Sequence, residues 1–480
     1  MNRFTRAGLV AVAALGLGVV PALFWSRAPW QDPEPQSAAA PALPALPDLG
    51  PWPGAFQERV VAAQAAAAAG GAPGAVAELG RLYHANGFIA EAAACWRRLV
   101  TAQPREPRWR YYLCDLSRAE SDHAGLASGL TEVLGLAPDY APAYLQRASL
   151  QLKSGEFEAA ERDYQSALRL APADPYARLG LARVALHRQR PGDARARLEE
   201  LLRDTPHFST AHNLYAELLA AAGDRERADW HRWLGVETLR YREPPDPWLD
   251  ELQAWCHDYD RLCVLGSTEV LRDQHEGARA LYERALALRP AAPEAYHLLA
   301  DMYLRQNQAA RARDLLEGAR SRVEAGRRAP LFPPLCQAYR DLGDNVRAER
   351  VAREGIQETG ASAELLEALG LARAGQNRHR AALDAYAAAL RLNPNDASLN
   401  YNRAVTLLAV ERLDDALAAL DRSLTLQPGF VPTLLLRGEI EMAAGHWADA
   451  ERCFRRVLAA HPQNELARRL LATWERQRPR

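Results

Sequence analysis

The 480 residues carry 59 Lys+Arg against 60 Asp+Glu, so the chain lacks the basic excess that drives binding to a phosphate backbone, and no nucleic-acid partner is expected. Ala dominates, Ile occurs three times and Lys153 is the only lysine, a composition that favours helix over sheet and predicts an all-α protein. That lysine follows Leu152 and so cannot complete a Walker phosphate loop, and the six cysteines show no Cys-x-x-Cys spacing of a zinc ribbon, thioredoxin-like site or covalent haem.

Arg3 and Arg6 precede an uncharged apolar stretch from Ala7 to Trp25, long enough for a membrane span. Residues 1–27 are therefore expected to be an N-terminal signal anchor or a removed signal peptide, the small pair Ser26 and Ala28 offering a cleavage site and Pro29 opposing it. Both readings export the remainder, placing the bulk of the chain on the extracytoplasmic, periplasmic side of the inner membrane, either tethered by one transmembrane helix or secreted. Eight prolines between Pro29 and Pro53 predict a polyproline-like stalk over 28–53, reaching at most roughly 75 Å at about 3.1 Å per residue. A helix from Phe56 to Ala69 is then expected to stop at Gly70-Gly71.

From residue 73 the sequence repeats. Pro104, Pro138, Pro172 and Pro206 are spaced by 34, as are Pro394, Pro428 and Pro462, with Pro290 between the runs. Twenty-four residues before each stands a small residue or Cys: Gly80, Cys114, Ala148, Ala182, Gly266, Gly370, Ala404 and Gly438. Twelve before is Ala in every case except Leu126, and eight before is a large apolar or aromatic residue such as Trp96, Tyr164, Tyr282, Tyr386 or Phe454. Small positions let two helices cross closely, the large residue fills the space beside the crossing, and proline ends the second helix. Two further units lack the proline but keep Leu299-Ala300, Tyr303 and Ala312, then Leu335-Cys336, Tyr339 and Ala348.

This unit resembles the tetratricopeptide repeat, most closely over 259–290 with Leu265-Gly266, Ala278, Tyr282, Ala285 and Pro290. The resemblance implies a right-handed superhelical solenoid of about eleven helix-turn-helix repeats, closed by a capping helix within 463–480. It also implies a concave groove, lined by the first helix of each unit, that binds protein or peptide partners. Pro206 to Pro290 exceeds two repeats by sixteen residues, so the array is expected as 54–240 and 259–462, divided by a Trp/Pro-rich insertion over 241–258. Trp230, Trp233, Trp248 and Trp255 crowd around it, either as a partner pocket or as a cover over core exposed by the break.

Core residues of the first helices are expected 28, 25, 24 and 21 positions before the proline, and the groove face at 30, 27, 23, 20 and 19. In the first five repeats that face offers Arg81, Arg108, Tyr111, Arg118, Lys153, Arg183 and His187 among others, five cations against the two anions Asp115 and Glu217. In the remaining six it offers Glu294, Asp301, Glu364 and Glu367, with Asp260, Asp341 and Glu439, against Arg305 and Arg340. A groove basic at one end and acidic at the other is the expected partner site. Ala77, Arg81 and Tyr111 stand where the carboxylate clamp of chaperone-binding relatives would need other residues, so a chaperone adaptor is not expected.

Cys256, His257, Asp258, Asp260 and Cys263 are the one dense group of metal-capable side chains, poorly spaced on a helix for one zinc ion. His207 and His212 lack a His-Glu-x-x-His companion, and Cys114 and Cys336 occupy small-residue packing positions. No cofactor and no small-molecule substrate is expected. The sequence reads as a non-enzymatic, membrane-tethered interaction scaffold. An envelope assembly factor in polymer export or cytochrome maturation is the alternative, and a metal or enzyme site at 241–263 a third.

Overall fold

A computed structural model describes residues 41–70, 72–118, 123–237, 244–461 and 463–478. The described residues form twenty-five α-helices and three short 3-10 helices, with no strand. Eleven consecutive helix pairs run from Pro73–Ala85 with Ile89–Ala102 to Val431–Ala443 with Trp447–Ala460. The helix Gly54–Gly70 precedes them and Glu465–Gln477 follows. The expected transmembrane segment lies outside the described residues; among these, no helix is long and apolar enough to cross a membrane.

The pairs close as the spacing predicts. A Cβ added to Gly80 would meet the Trp96 indole at 2.7–3.0 Å, and one on Gly266 would meet the Tyr282 ring at 2.5–2.9 Å. Gly370 faces Tyr386 and Gly438 faces Phe454 in the same way, so each aromatic ring lies directly on the small residue of its partner helix. The turn inside each pair has a further constant that the proline frame exposes. Seventeen residues before the proline position the backbone is left-handed: Gly87, Gly155, Gly223 and Gly445, but also Gln189, Asp273, Asn377 and Glu411 with φ between 57° and 65°. This is the residue that turns the chain out of the first helix, a place glycine fills at least cost.

Three features depart from a plain stack. Residues 41–53, expected as free stalk, are laid against the first helices: Leu49 is buried, Trp52 packs on Phe56 and Phe88, and Pro41 and Pro44 carbonyls accept from Arg98 and Gln64. Proline removes N–H donors but leaves carbonyls and ring surface, and both are used here. The second feature is a loop over 321–331 with two 3-10 turns before the helix Phe332–Asp341.

The third is the path of the insertion. After the fifth pair the chain returns along the first repeats, and the sixth pair starts against the first: Leu252, Cys256, Tyr259 and Leu262 share one core with Phe56, Leu82, Tyr83 and Trp96. At the other end, Trp230 of the fifth pair joins the core of Leu434, Phe454 and Trp474, and a Cβ on Gly429 would run into the Trp233 ring. Arg456 lies over Trp230 at 5.4 Å and the His207 and His461 rings are 5.6 Å apart. The two arrays thus touch at both ends.

Candidate functional site

The concave side of the first array carries two adjoining features, one filled by the chain itself and one open. The filled one holds the insertion. Asp246 caps the short helix Pro247–Asp250, accepting from the Leu249 N–H, and is 8% exposed. Its carboxylate accepts from the Tyr111 hydroxyl, from the Tyr140 hydroxyl at 2.5 Å and from the Gln146 amide at 3.4 Å. Among the described residues Asp246 has no cationic partner, and burial pushes its pKa above the ordinary carboxylate range. Trp248 stacks face to face on Tyr140 with centroids 3.6 Å apart, edge-on to Tyr111, and its carbonyl accepts from the Tyr112 hydroxyl at 3.0 Å.

Further along, Asn86 reads the insertion's backbone on both sides of Cys256. Its amide N–H donates to the Trp255 carbonyl at 2.9 Å and its oxygen accepts from the His257 N–H at 2.5 Å. Arg59 and Arg81 lie over the Trp255 indole at 4.5 and 5.7 Å. Arg284 of the second array donates to the carbonyls of Gln253, Ala254 and Cys256. These groups hold the short helical turns of the insertion by its carboxylate, its indoles and its main chain.

The open feature begins at Pro244. A cavity of about 410 Å³ is lined by Arg118, Lys153 and Arg183, with Leu145 and Leu179 at its floor and Gln146, Ser149 and Thr210 as polar groups. No carboxylate is among its described lining residues. Arg118 keeps an ion pair with Asp115 at 3.4 Å, whereas Lys153 and Arg183 have no ion pair among the described residues. A larger cavity of about 1020 Å³ separates Asp174, Pro175 and Tyr176 from the sixth pair and has the opposite character. Asp174, Asp250 and Glu269 line it, and its Arg272 is held by Asp250 and Glu269, each at 3.0 Å.

Of the residues singled out from sequence, the structure therefore gathers Arg118, Lys153 and Arg183 in one cavity. Arg81 lies over Trp109 and over Trp255 of the insertion, Trp248 sits on Tyr140 and Tyr111, and Arg108 lies over Trp109 and pairs with Glu106 at 2.8 Å. Tyr111 is fully buried beneath the insertion. The position 27 before the proline is buried in each of the first four repeats, at Ala77, Tyr111, Leu145 and Leu179, because it packs at the base of the groove. His187 is exposed and stacks on Phe157. In the second array Glu294 faces Arg327 at 3.7 Å, Asp301 pairs with Arg305 at 2.7 Å, and Glu367 accepts from Asn402 at 2.7 Å with its pKa raised by burial. Glu364 is exposed, and none of these four lines either cavity.

The candidate metal group is dispersed into structural tasks. Cys256 points to the Asp258 carbonyl, His257 donates from Nδ1 to the Trp255 carbonyl against the Phe56 ring, and Asp258 caps Tyr259–Leu271. No three metal-capable side chains gather among the described residues. Asn86, Tyr140, Gln146, Asp246 and Arg284 were not singled out from sequence. The one available signal was Asp246 itself, an acidic residue between two prolines with an aromatic two residues on.

Two family models, each described as tetratricopeptide repeat, match this chain: one over 152–218, 270–324 and 407–473, the other over 77–125 and 367–429, together more than half of its length. The chain belongs to the tetratricopeptide-repeat family. Cellulose synthase operon protein C of Pseudomonas fluorescens (strain SBW25) is 25% identical over 462 residues. That match takes in 84% of this chain and 35% of the relative, so the chain spans about a third of that protein's length. Among solved structures, the APC/C hetero-tetramer Cut9-Hcn1 matches 88% of this chain and 93% of its own at 14% identity and a TM-score of 0.39. Yeast Tom70 matches 84% and 95% at 13% identity and 0.38. YrrB, a TPR protein with an unusual peptide-binding site, matches 38% and 92% at 23% identity and 0.29.

Proposed function

We propose that this tetratricopeptide-repeat protein is a non-enzymatic interaction scaffold that takes an acidic extended segment of a partner protein into the groove of its second to fifth repeats. The observation that carries this is the cavity with Arg118, Lys153 and Arg183 on its wall and no carboxylate among its described lining residues. Apolar floor at Leu145 and Leu179 supplies non-directional affinity, while the cations select for negative charge and speed the encounter. The amide and hydroxyls of Gln146, Ser149 and Thr210 suit the main chain of an extended peptide.

The array is further proposed to be tethered by residues 7–25 and displayed outside the cytoplasm, a reading supported by the apolar stretch behind Arg3 and Arg6. A narrower reading has the partner belong to an envelope-biogenesis assembly. What supports it is the likeness to a protein named for a cellulose synthase operon. Affinity capture with the full chain tests the groove. Proteins recovered by the wild type are expected to be lost, or reduced at least tenfold, with Lys153→Glu/Arg183→Glu, and unchanged recovery refutes the basic groove.

A further inference from the structure

The insertion is bound in the way a groove binds a foreign peptide, and its two halves are held differently. Residues 250–257 are gripped from both arrays, by Asn86 on one side and by Arg272 and Arg284 on the other. Residues 244–249 touch groups of the first array: Tyr111, Tyr112, Tyr140 and Gln146. Pro245 and Pro247 are exposed, and Trp248 is half-buried, so this half lies at the surface of the groove with one carboxylate and one indole turned in. A carboxylate buried against neutral donors keeps a desolvation cost that a cation would offset, so the seat is specific without being tight. Two phenol hydroxyls and an amide aimed at one point form a carboxylate site, and Tyr140 is an indole platform beside it.

We propose that the Tyr111–Tyr140–Gln146 seat is an exchangeable recognition site for a partner segment in which an acidic residue is followed two positions on by an aromatic ring, and that Asp246-Pro247-Trp248 is its built-in occupant. In the resting chain this segment competes in cis with any partner. A tethered competitor acts at an effective concentration of order millimolar, which lowers the apparent affinity of a free segment accordingly. The seat joins the basic cavity at Gln146 and Pro244, so a segment that displaces Asp246-Pro247-Trp248 has an open path towards Lys153. This inference goes beyond the basic groove and does not need it: the contacts invoked are with hydroxyls, an amide and a ring.

The test uses the full chain and a labelled peptide of residues 244–250, Pro-Pro-Asp-Pro-Trp-Leu-Asp, followed by fluorescence anisotropy. The double variant Asp246→Ala/Trp248→Ala, which empties the seat, is expected to bind the peptide at least tenfold more tightly than the wild type. Adding Tyr140→Ala to that variant is expected to abolish the gain, whereas adding Lys153→Glu is expected to leave it. A double variant with wild-type helical content that binds no better than wild type overturns the proposal, as does a gain that survives Tyr140→Ala. Should the double variant lose helix, hydrogen exchange of the wild type decides. The amides of Trp248 and Leu249, which donate to Tyr140 and Asp246, are expected to exchange at least a hundredfold faster than those of the helix Pro107–Ser117. Exchange as slow as that helix marks a permanent structural contact and overturns the proposal.

Discussion

Gly266 lies under the ring of Tyr282 where the first two helices of the second array cross. In Gly266→Ala the new Cβ would stand 2.5 Å from Cε1, 2.8 Å from Cδ1 and 2.9 Å from Cζ of that ring, against about 3.5–4.0 Å for an ordinary carbon contact. The ring has little room to yield: Tyr282 is 1% exposed and its hydroxyl is 3.1 Å from the Ser267 hydroxyl. Overpacking of this kind costs about 1–3 kcal/mol, and replacing a mid-helix glycine by alanine returns about 1 kcal/mol. The expected outcome is a net loss of up to about 2 kcal/mol, local to residues 259–288.

Gly318, helical with nothing within 4 Å of its notional Cβ, is the control, and Gly318→Ala is expected to gain about 0.5–1 kcal/mol. Because repeat arrays sum nearest-neighbour terms, the readout is local hydrogen exchange by mass spectrometry rather than one melting curve. A 2 kcal/mol loss appears as exchange up to about thirtyfold faster. Slower exchange over 259–288 in Gly266→Ala, matching the sign of Gly318→Ala, would refute the close-crossing account.

Other expectations follow from the turns, the buried ions and the second junction. Glu411 is held at φ 60°, so Glu411→Gly is expected to stabilise the pair Ala397–Leu408 and Leu413–Leu426 by about 0.5–1 kcal/mol, read by the same exchange experiment. His212 and His231 meet at 2.8 Å and burial depresses both to about 4. Unfolding exposes imidazoles that titrate at 6.5, so the fifth repeat is expected to be fully stable above that pH and to lose on the order of 3 kcal/mol per imidazole as pH falls from 6.5 towards 4, with His231→Phe flattening the profile. Arg147 and Asp163 form a two-bond ion pair at 2.7 and 2.8 Å, both largely buried, and Arg147→Ala is expected to cost about 3 kcal/mol in the third repeat. Gly429→Ala would displace the Trp233 ring, and is expected to red-shift tryptophan emission and enlarge the radius of gyration in solution scattering.

The repeat architecture was legible because each small residue and its large apolar or aromatic partner lie sixteen residues apart, and the pairs Gly80 with Trp96 and Gly266 with Tyr282 meet in the fold. Periodicity reports contacts between neighbours. It carried no information on Asn86 with Trp255 or Tyr111 with Asp246, which are separated by 169 and 135 residues. Arg118, Lys153 and Arg183, expected on the groove face, are long side chains that project beyond the helix surface and line one cavity, whereas the Tyr111 ring is drawn under the returning chain. Residues 41–53 illustrate the same limit, since proline content predicts an extended backbone but not the surface on which it lies.

Photocrosslinking inside the cell tests the groove most directly. A photoreactive residue placed at Ser149, on the wall of the basic cavity, is compared with one at Gln165, exposed on the following helix. The account predicts a protein adduct at Ser149 that maps to an Asp/Glu-rich segment of the partner, is absent at Gln165, and disappears with Arg183→Glu. No adduct at Ser149, equal adducts at both positions, or an adduct indifferent to Arg183→Glu would contradict it.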